Sequence, residues 1–162
     1  MTIVRFAWTC VVVSAMLAGM CYADVAEDTV SLVEKAEDTV SLVYKAVNLF
    51  MHRGSETAIK AINDSHGAFM KGEICVFAVT MDNVLVGYPM NGAANRVTVS
   101  NVQDSSGVPI FQKFKEVIEK DEAGWIEHPW VKPNEDLPVR KRFFVKKVPD
   151  QNFYVCAGYY LK

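Results

Sequence analysis

The residues able to do chemistry are few and scattered. His52, His66 and His128 stand far apart, and none has a carboxylate or nucleophile at a spacing that would make a catalytic pair. No GxSxG, HExxH, P-loop or GxGxxG occurs. The turn Asp104 to Gly107 is too poor in acids for a calcium loop, and no CxxC or Cys/His spacing suggests zinc. The pattern argues against an enzyme and calls for neither metal nor cofactor. Two features remain. One is the basic run from Arg140 to Lys147, where Lys141 could hold an acid, although charges in such a run ordinarily line a solvated strand face. The other is the pair Cys75 and Cys156, a disulfide if the chain is exported, or else two buried thiols.

Composition narrows the setting. With 162 residues and a net charge of −2, the chain suits one domain with a genuine core and lacks the basic excess of a nucleic-acid binder. A hydrophobic content of 51% is high for so small a chain, and the excess sits at the start. Arg5 is the only charge before Asp24, residues 6–20 are almost unbroken apolar sequence, and small residues close the segment at Ala23. This is the layout of a secretory signal peptide over residues 1–23. Two other readings stay open: a lipoprotein box ending at Cys21, against which Met20 counts, and an uncut anchor over residues 6–23, at the short end of a bilayer span. Cleavage would leave 139 of the 162 residues, with a net charge near −3, in the periplasm or secreted.

The elements that must position these residues follow from hydrophobic period. Residues 26–33 and 36–43 repeat the same eight residues, AEDTVSLV, within a helical stretch that runs to Gly54. Ten residues at about 100° each fall some 80° short of three turns, so the copies cannot share one face. Ser55 is placed to cap a second, shorter helix ending at Asn63. From Glu73 the pattern changes to strands: residues 74–79 and 84–88 form a hairpin around Met81-Asp82-Asn83, and 125–131, 138–148 and 153–161 form a meander. Between them Pro109 opens a helix whose face is Phe111, Phe114, Val117 and Ile118. The expectation is an α+β domain over residues 24–162, helical over 24–64 and sheet-bearing over 73–161, with five antiparallel strands.

The ordered series Ala68-Phe69, Val86-Gly87-Tyr88-Pro89, Asp104-x-x-Gly107, Gly124-Trp125-Ile126, Trp130, Pro138 to Val148 and Cys156-Ala157-Gly158-Tyr159-Tyr160 resembles the single Cache domain, type 2, in its small exported form. The resemblance spans roughly residues 42–161. It implies a long N-terminal helix packed on a PAS-like five-stranded antiparallel sheet, with a pocket between the sheet and its covering loops. It also implies an extracytoplasmic sensor of small organic acids that works with a separate membrane-bound partner.

By that resemblance Lys141 matches the family's lysine and is the expected cation for a carboxylate, with Arg96 as a second candidate. Tyr88 and His128 are the expected donors. Strand alternation puts Trp125 and Trp130 on opposite faces, and the match to the family implies that Trp130 and His128 face the pocket, with Phe77 and Tyr160 on strands that line it. Gly158, lacking a side chain inside a strand, suggests a close approach. Cys75 and Cys156 would lie on neighbouring strands. This copy departs from the family where Gly87-Tyr88-Pro89 replaces Ala-His-Pro, and at Cys75 and Phe144, each of which replaces a tyrosine. The alternative is therefore an interaction module whose pocket is vestigial. Its helical face would dock on a sensor or on a second copy.

Overall fold

The computed structural model describes residues 7–90, 96–104, 106–132 and 135–161, with side chains from residue 28 onward. The chain divides into two compact units, Met1–Glu34 and Lys35–Lys162. The export-signal reading falls on residues 1–23, whose side chains lie outside the described residues. Among the described residues no helix is long and apolar enough to cross a membrane.

Helix α1 spans Ala7–Ile62 and is broken at Gly54, whose φ of 80° and ψ of 163° are not helical. That backbone region is open essentially to glycine alone, so the position expected to punctuate the helix does so by kinking it. The two copies of the repeat meet different surroundings. Val30 and Val33 are exposed, whereas Thr39 and Val43 are buried in the second unit. The hydroxyl of Thr39 is satisfied by donating to the Lys35 carbonyl at 2.7 Å.

The strands are β1 (Met70–Lys71), β2 (Ile74–Thr80), β3 (Val84–Gly87), β4 (Val97–Thr98), β5 (Ala123–Val131), β6 (Pro138–Lys147) and β7 (Phe153–Tyr160), with helix α2 (Ile110–Asp121) between β4 and β5. They form one antiparallel sheet in the order β4-β3-β2-β7-β6-β5, with β1 paired to β2. The five expected strands are present; β1 and β4 extend the sheet to seven. Each of these two has only two residues, too short for any alternating pattern to show in sequence.

Pairing register assigns the two faces. Phe144 stacks on Tyr44 and Phe153 packs at a tilt against Phe50, so the residues of the same parity, Val76, Ala78, Val155 and Ala157, look toward the kinked helix. The opposite parity of Phe77, Val79, Phe143, Val145 and Cys156 packs with Ile110, Phe111, Phe114 and Ile118 of α2. Trp125 falls on the α1 side, against Phe144 and Tyr159, and Trp130 on the α2 side, against Phe143. The central strands are thus buried on both faces, which is why β2 and β7 read as nearly continuous apolar runs.

Gly158 permits one close packing on the α2 side. A Cβ there would stand 2.6 Å from the Arg142 carbonyl and 2.7 Å from the Phe143 ring. Gly158→Ala is therefore expected to displace Phe143 and to destabilise the fold by about 1–3 kcal/mol. A urea titration reads this as a lowered midpoint, and an unchanged midpoint would mean that the ring is free to move aside.

Candidate functional site

The α2 face of the sheet is not filled to its edge. Between β2, β3, β6 and α2 lies a cavity of about 220 Å³, walled by the rings of Phe77, Tyr88, Phe111, Trp130 and Phe143. Leu85, Val99 and Val102 close it, and Cys75 and Lys141 also line it. Phe77 is the hub of the wall, meeting Tyr88, Phe111 and Phe143 edge-on at 6.2–6.4 Å between centroids. A second cavity of about 230 Å³ shares Tyr88, Trp130 and Lys141 with the first and continues past Tyr160, Glu73 and Lys132.

Lys141 stands where the two cavities meet. It is placed there by register: on β6 it pairs with His128 of β5 and Tyr160 of β7, and parity turns all three to the α2 side. Only 7% of it is exposed. Its Nζ lies 4.3 Å from the Tyr160 ring centroid and 5.4 Å from that of Phe143. Among the described residues no carboxylate forms an ion pair with it. Burial lowers the Lys141 pKa from the ordinary lysine value, and its electrostatic interactions with Cys75 and Glu73 offset this in part. The surrounding charges are otherwise engaged, Glu73 with Lys35 and Lys132 with Glu135.

The tyrosines are donors at any ordinary pH. Desolvation, with a smaller contribution from Cys75, pushes Tyr88 up to about 12. Tyr160 is also raised to about 12, chiefly by desolvation, and its hydroxyl donates to the Val131 carbonyl at 3.4 Å. The Tyr88 backbone is anchored by its N–H donating to Asn63 Oδ1 at 2.8 Å, which ties the end of β3 to the end of α1.

Of the seven expected site residues, Lys141, Tyr88, Trp130 and Phe77 come together in the first cavity and Tyr160 lines the second. Two do not join them. His128 is on the correct face but beside the cavities, its Nδ1 3.3 Å from Asp104 Oδ2 and its ring against Phe114. It acts as a strut between β5 and the loop before α2, and its Nε2 is buried without a partner among the described residues. Arg96 is exposed, at a φ of 75°, and lines a separate groove with Glu56, Lys60, Asp64 and Asp82.

Cys75 and Cys156 are buried free thiols. Cys75 faces Gly158 and Cys156 faces Phe77, so the two sulfurs sit one register step apart on the same face. Such diagonal neighbours are about 7–8 Å apart, beyond disulfide reach without backbone movement. Burial raises both thiols above the usual cysteine range. The wall residues Phe111, Phe143, Val99 and Val102 carry no chemical signal in sequence. Counting two from Lys141 along the strand would have placed Phe143 on its face.

Two outcomes follow. Peptide mapping after alkylation of the unfolded, unreduced protein is expected to find Cys75 and Cys156 both alkylated, and a linked peptide would contradict the register. Asp104 is held below the usual carboxylate range, first by the Val108 backbone N–H, then by Ser106 and His128. A lowered folded pKa contributes stability above the unfolded value that is lost as pH falls through the folded one. Asp104→Asn should therefore flatten the loss of stability on acidification relative to wild type, as read by thermal melts across the acid range.

A family model described as Cache domain matches residues 56–162. No curated protein matches the chain significantly. Among solved structures, a periplasmic sensor domain of a chemotaxis protein aligns with a TM-score of 0.64 at 21% identity, over 85% of this chain and 98% of that one. A structure reported for carboxylic acid recognition by a Cache chemosensory domain aligns at 0.60 and 19% identity, over 89% and 98%. A methyl-accepting chemotaxis protein from Vibrio parahaemolyticus RIMD 2210633 aligns at 0.66 and 11% identity, over 84% and 95%. These likenesses establish a shared fold.

Proposed function

The chain belongs to the Cache domain family, and from that premise we propose that it is an extracytoplasmic sensor domain that binds a small organic acid through Lys141 and passes the signal to a separate membrane-bound partner. The observation that carries the reading is Lys141 itself. A buried ammonium without an ion-pair partner among the described residues is costly unless something supplies the opposite charge. A carboxylate at the junction of the two cavities would do so, with Tyr88 as donor and aromatic rings as walls. The carboxylic acid named for one structural relative agrees with this chemistry. Export over residues 1–23, leaving a domain at 24–162, supplies the compartment. Pairing of two copies through α1 is compatible with the exposure of Val30, Val33 and Tyr44.

The test is a thermal-shift panel of small carboxylates on the purified protein. An acid at about 100 times its dissociation constant should add roughly 2.7 kcal/mol of stability. Lys141→Met should remove that response while raising the stability of the unliganded protein by about 1 kcal/mol, because an unpaired buried charge is gone. If the response survives Lys141→Met, the site is wrong.

The pH dependence has a definite sign. Because the folded-state pKa of Lys141 is depressed, the unfolded chain binds more protons between that value and the ordinary one, so unliganded stability rises with pH in that window. Acid binding goes the other way, weakening as Lys141 deprotonates. Calorimetric titration across the alkaline range should show this decline in wild type, and a flat profile would exclude Lys141 as the cation.

A further inference from the structure

The cavity says more about the ligand than its charge. We propose that the acid is a monocarboxylate with a bulky apolar tail, aromatic or branched and of about six carbons, rather than a two- or three-carbon acid. This rests on the carboxylate reading of Lys141. Two observations carry it independently of that residue, and a third counts the charges around it.

The first is size. A cavity of about 150 Å³ lined by apolar side chains accommodates benzene. The one beside Lys141 is about 220 Å³, room for a ring with its carboxylate at the rim. An acetate there would leave most of that volume in contact with nothing, forfeiting the dispersion that a filled cavity supplies.

The second is the wall. Apart from Lys141 and Cys75, the chemistry around the space is that of five rings and three aliphatic side chains. Phe77 meets the other wall rings Tyr88, Phe111 and Phe143 at 71–89°. Rings so disposed can offer a guest ring both faces and edges.

The third is the charge count. Among the described residues Lys141 is the single cation lining the first cavity, and the second cavity's Glu73 and Lys132 are already paired. A second carboxylate on the ligand would lie either among rings or beside Glu73. Dicarboxylates are thereby disfavoured.

The experiment is isothermal titration of the full chain with acetate, butyrate, hexanoate, phenylacetate, succinate and the neutral phenylacetamide. Each methylene buried should tighten binding about fourfold, and phenylacetate should bind between about tenfold and a hundredfold tighter than acetate. Filling the cavity with Val102→Phe should reduce the phenylacetate-to-acetate affinity ratio at least tenfold. Leu85→Phe serves the same purpose from the β3 side.

Acetate binding as tightly as phenylacetate, or succinate binding tightest, would overturn the tail and leave the carboxylate reading standing. Phenylacetamide matching phenylacetate would overturn the carboxylate reading and keep the apolar cavity. Failure of every probe would overturn both.

Discussion

The structure depends on one constraint: β2, β7 and the middle of β6 are covered on both faces, so the residues along them are committed to one of two interiors. Period-two alternation does the sorting. One parity of β6, with Phe144 at its centre, packs against α1. The other, with Lys141, Phe143 and Val145, belongs to the α2 side. A slip of one residue would exchange Lys141 for Arg142 and send a ring into the wrong layer. Gly158 reinforces the register, since only a residue without Cβ lets Phe143 lie across β7.

From that sorting follow both the cavity and its cation. The α2 layer is built of large rings that meet edge-on, and α2 is only 12 residues long. It covers the β5–β6 side and leaves the space in front of β2 and β3 to be walled by Tyr88, Val99 and Val102. Lys141 extends along this gap with its stem beside Tyr160 and Phe143, so its charge is desolvated by neighbours that supply only ring faces. The charges of the same strand that fall on the other parity fare differently. Arg140 pairs with Glu127, and Arg142 lies over Trp125, both nearer water.

Much of the fold was legible. The kink at Gly54, the hairpin around Asn83, the helix after Pro109 and the three-strand meander each carry a local signal, either a breaker or a period, and each is present. Parity also put Trp125 and Trp130 on opposite faces, while the choice of Trp130 for the pocket came from the resemblance. The site was legible in part. His128 has the correct parity, yet Asp104, 24 residues away, captures it. Arg96 lies in a loop, where no period constrains direction. The cysteine pair was left open between a disulfide and two buried thiols, because the register that separates them depends on how two distant strands align.

By itself the sequence determined which side of each strand a residue takes and where each element stops, because sterics and burial act over a few residues. Alternation along β6 puts Lys141 on one face with Phe143, whereas its pairing with His128 comes from the register of β5 on β6. Only the tertiary structure decided which of these meets empty space. That depends on the length and seat of α2 and on the loop that brings Tyr88 and Val102 over the sheet. It also depends on the absence, among the described residues, of an acid to pair with Lys141. Cavities and unpaired charges belong to the packing of segments far apart in the chain, and no local pattern encodes them.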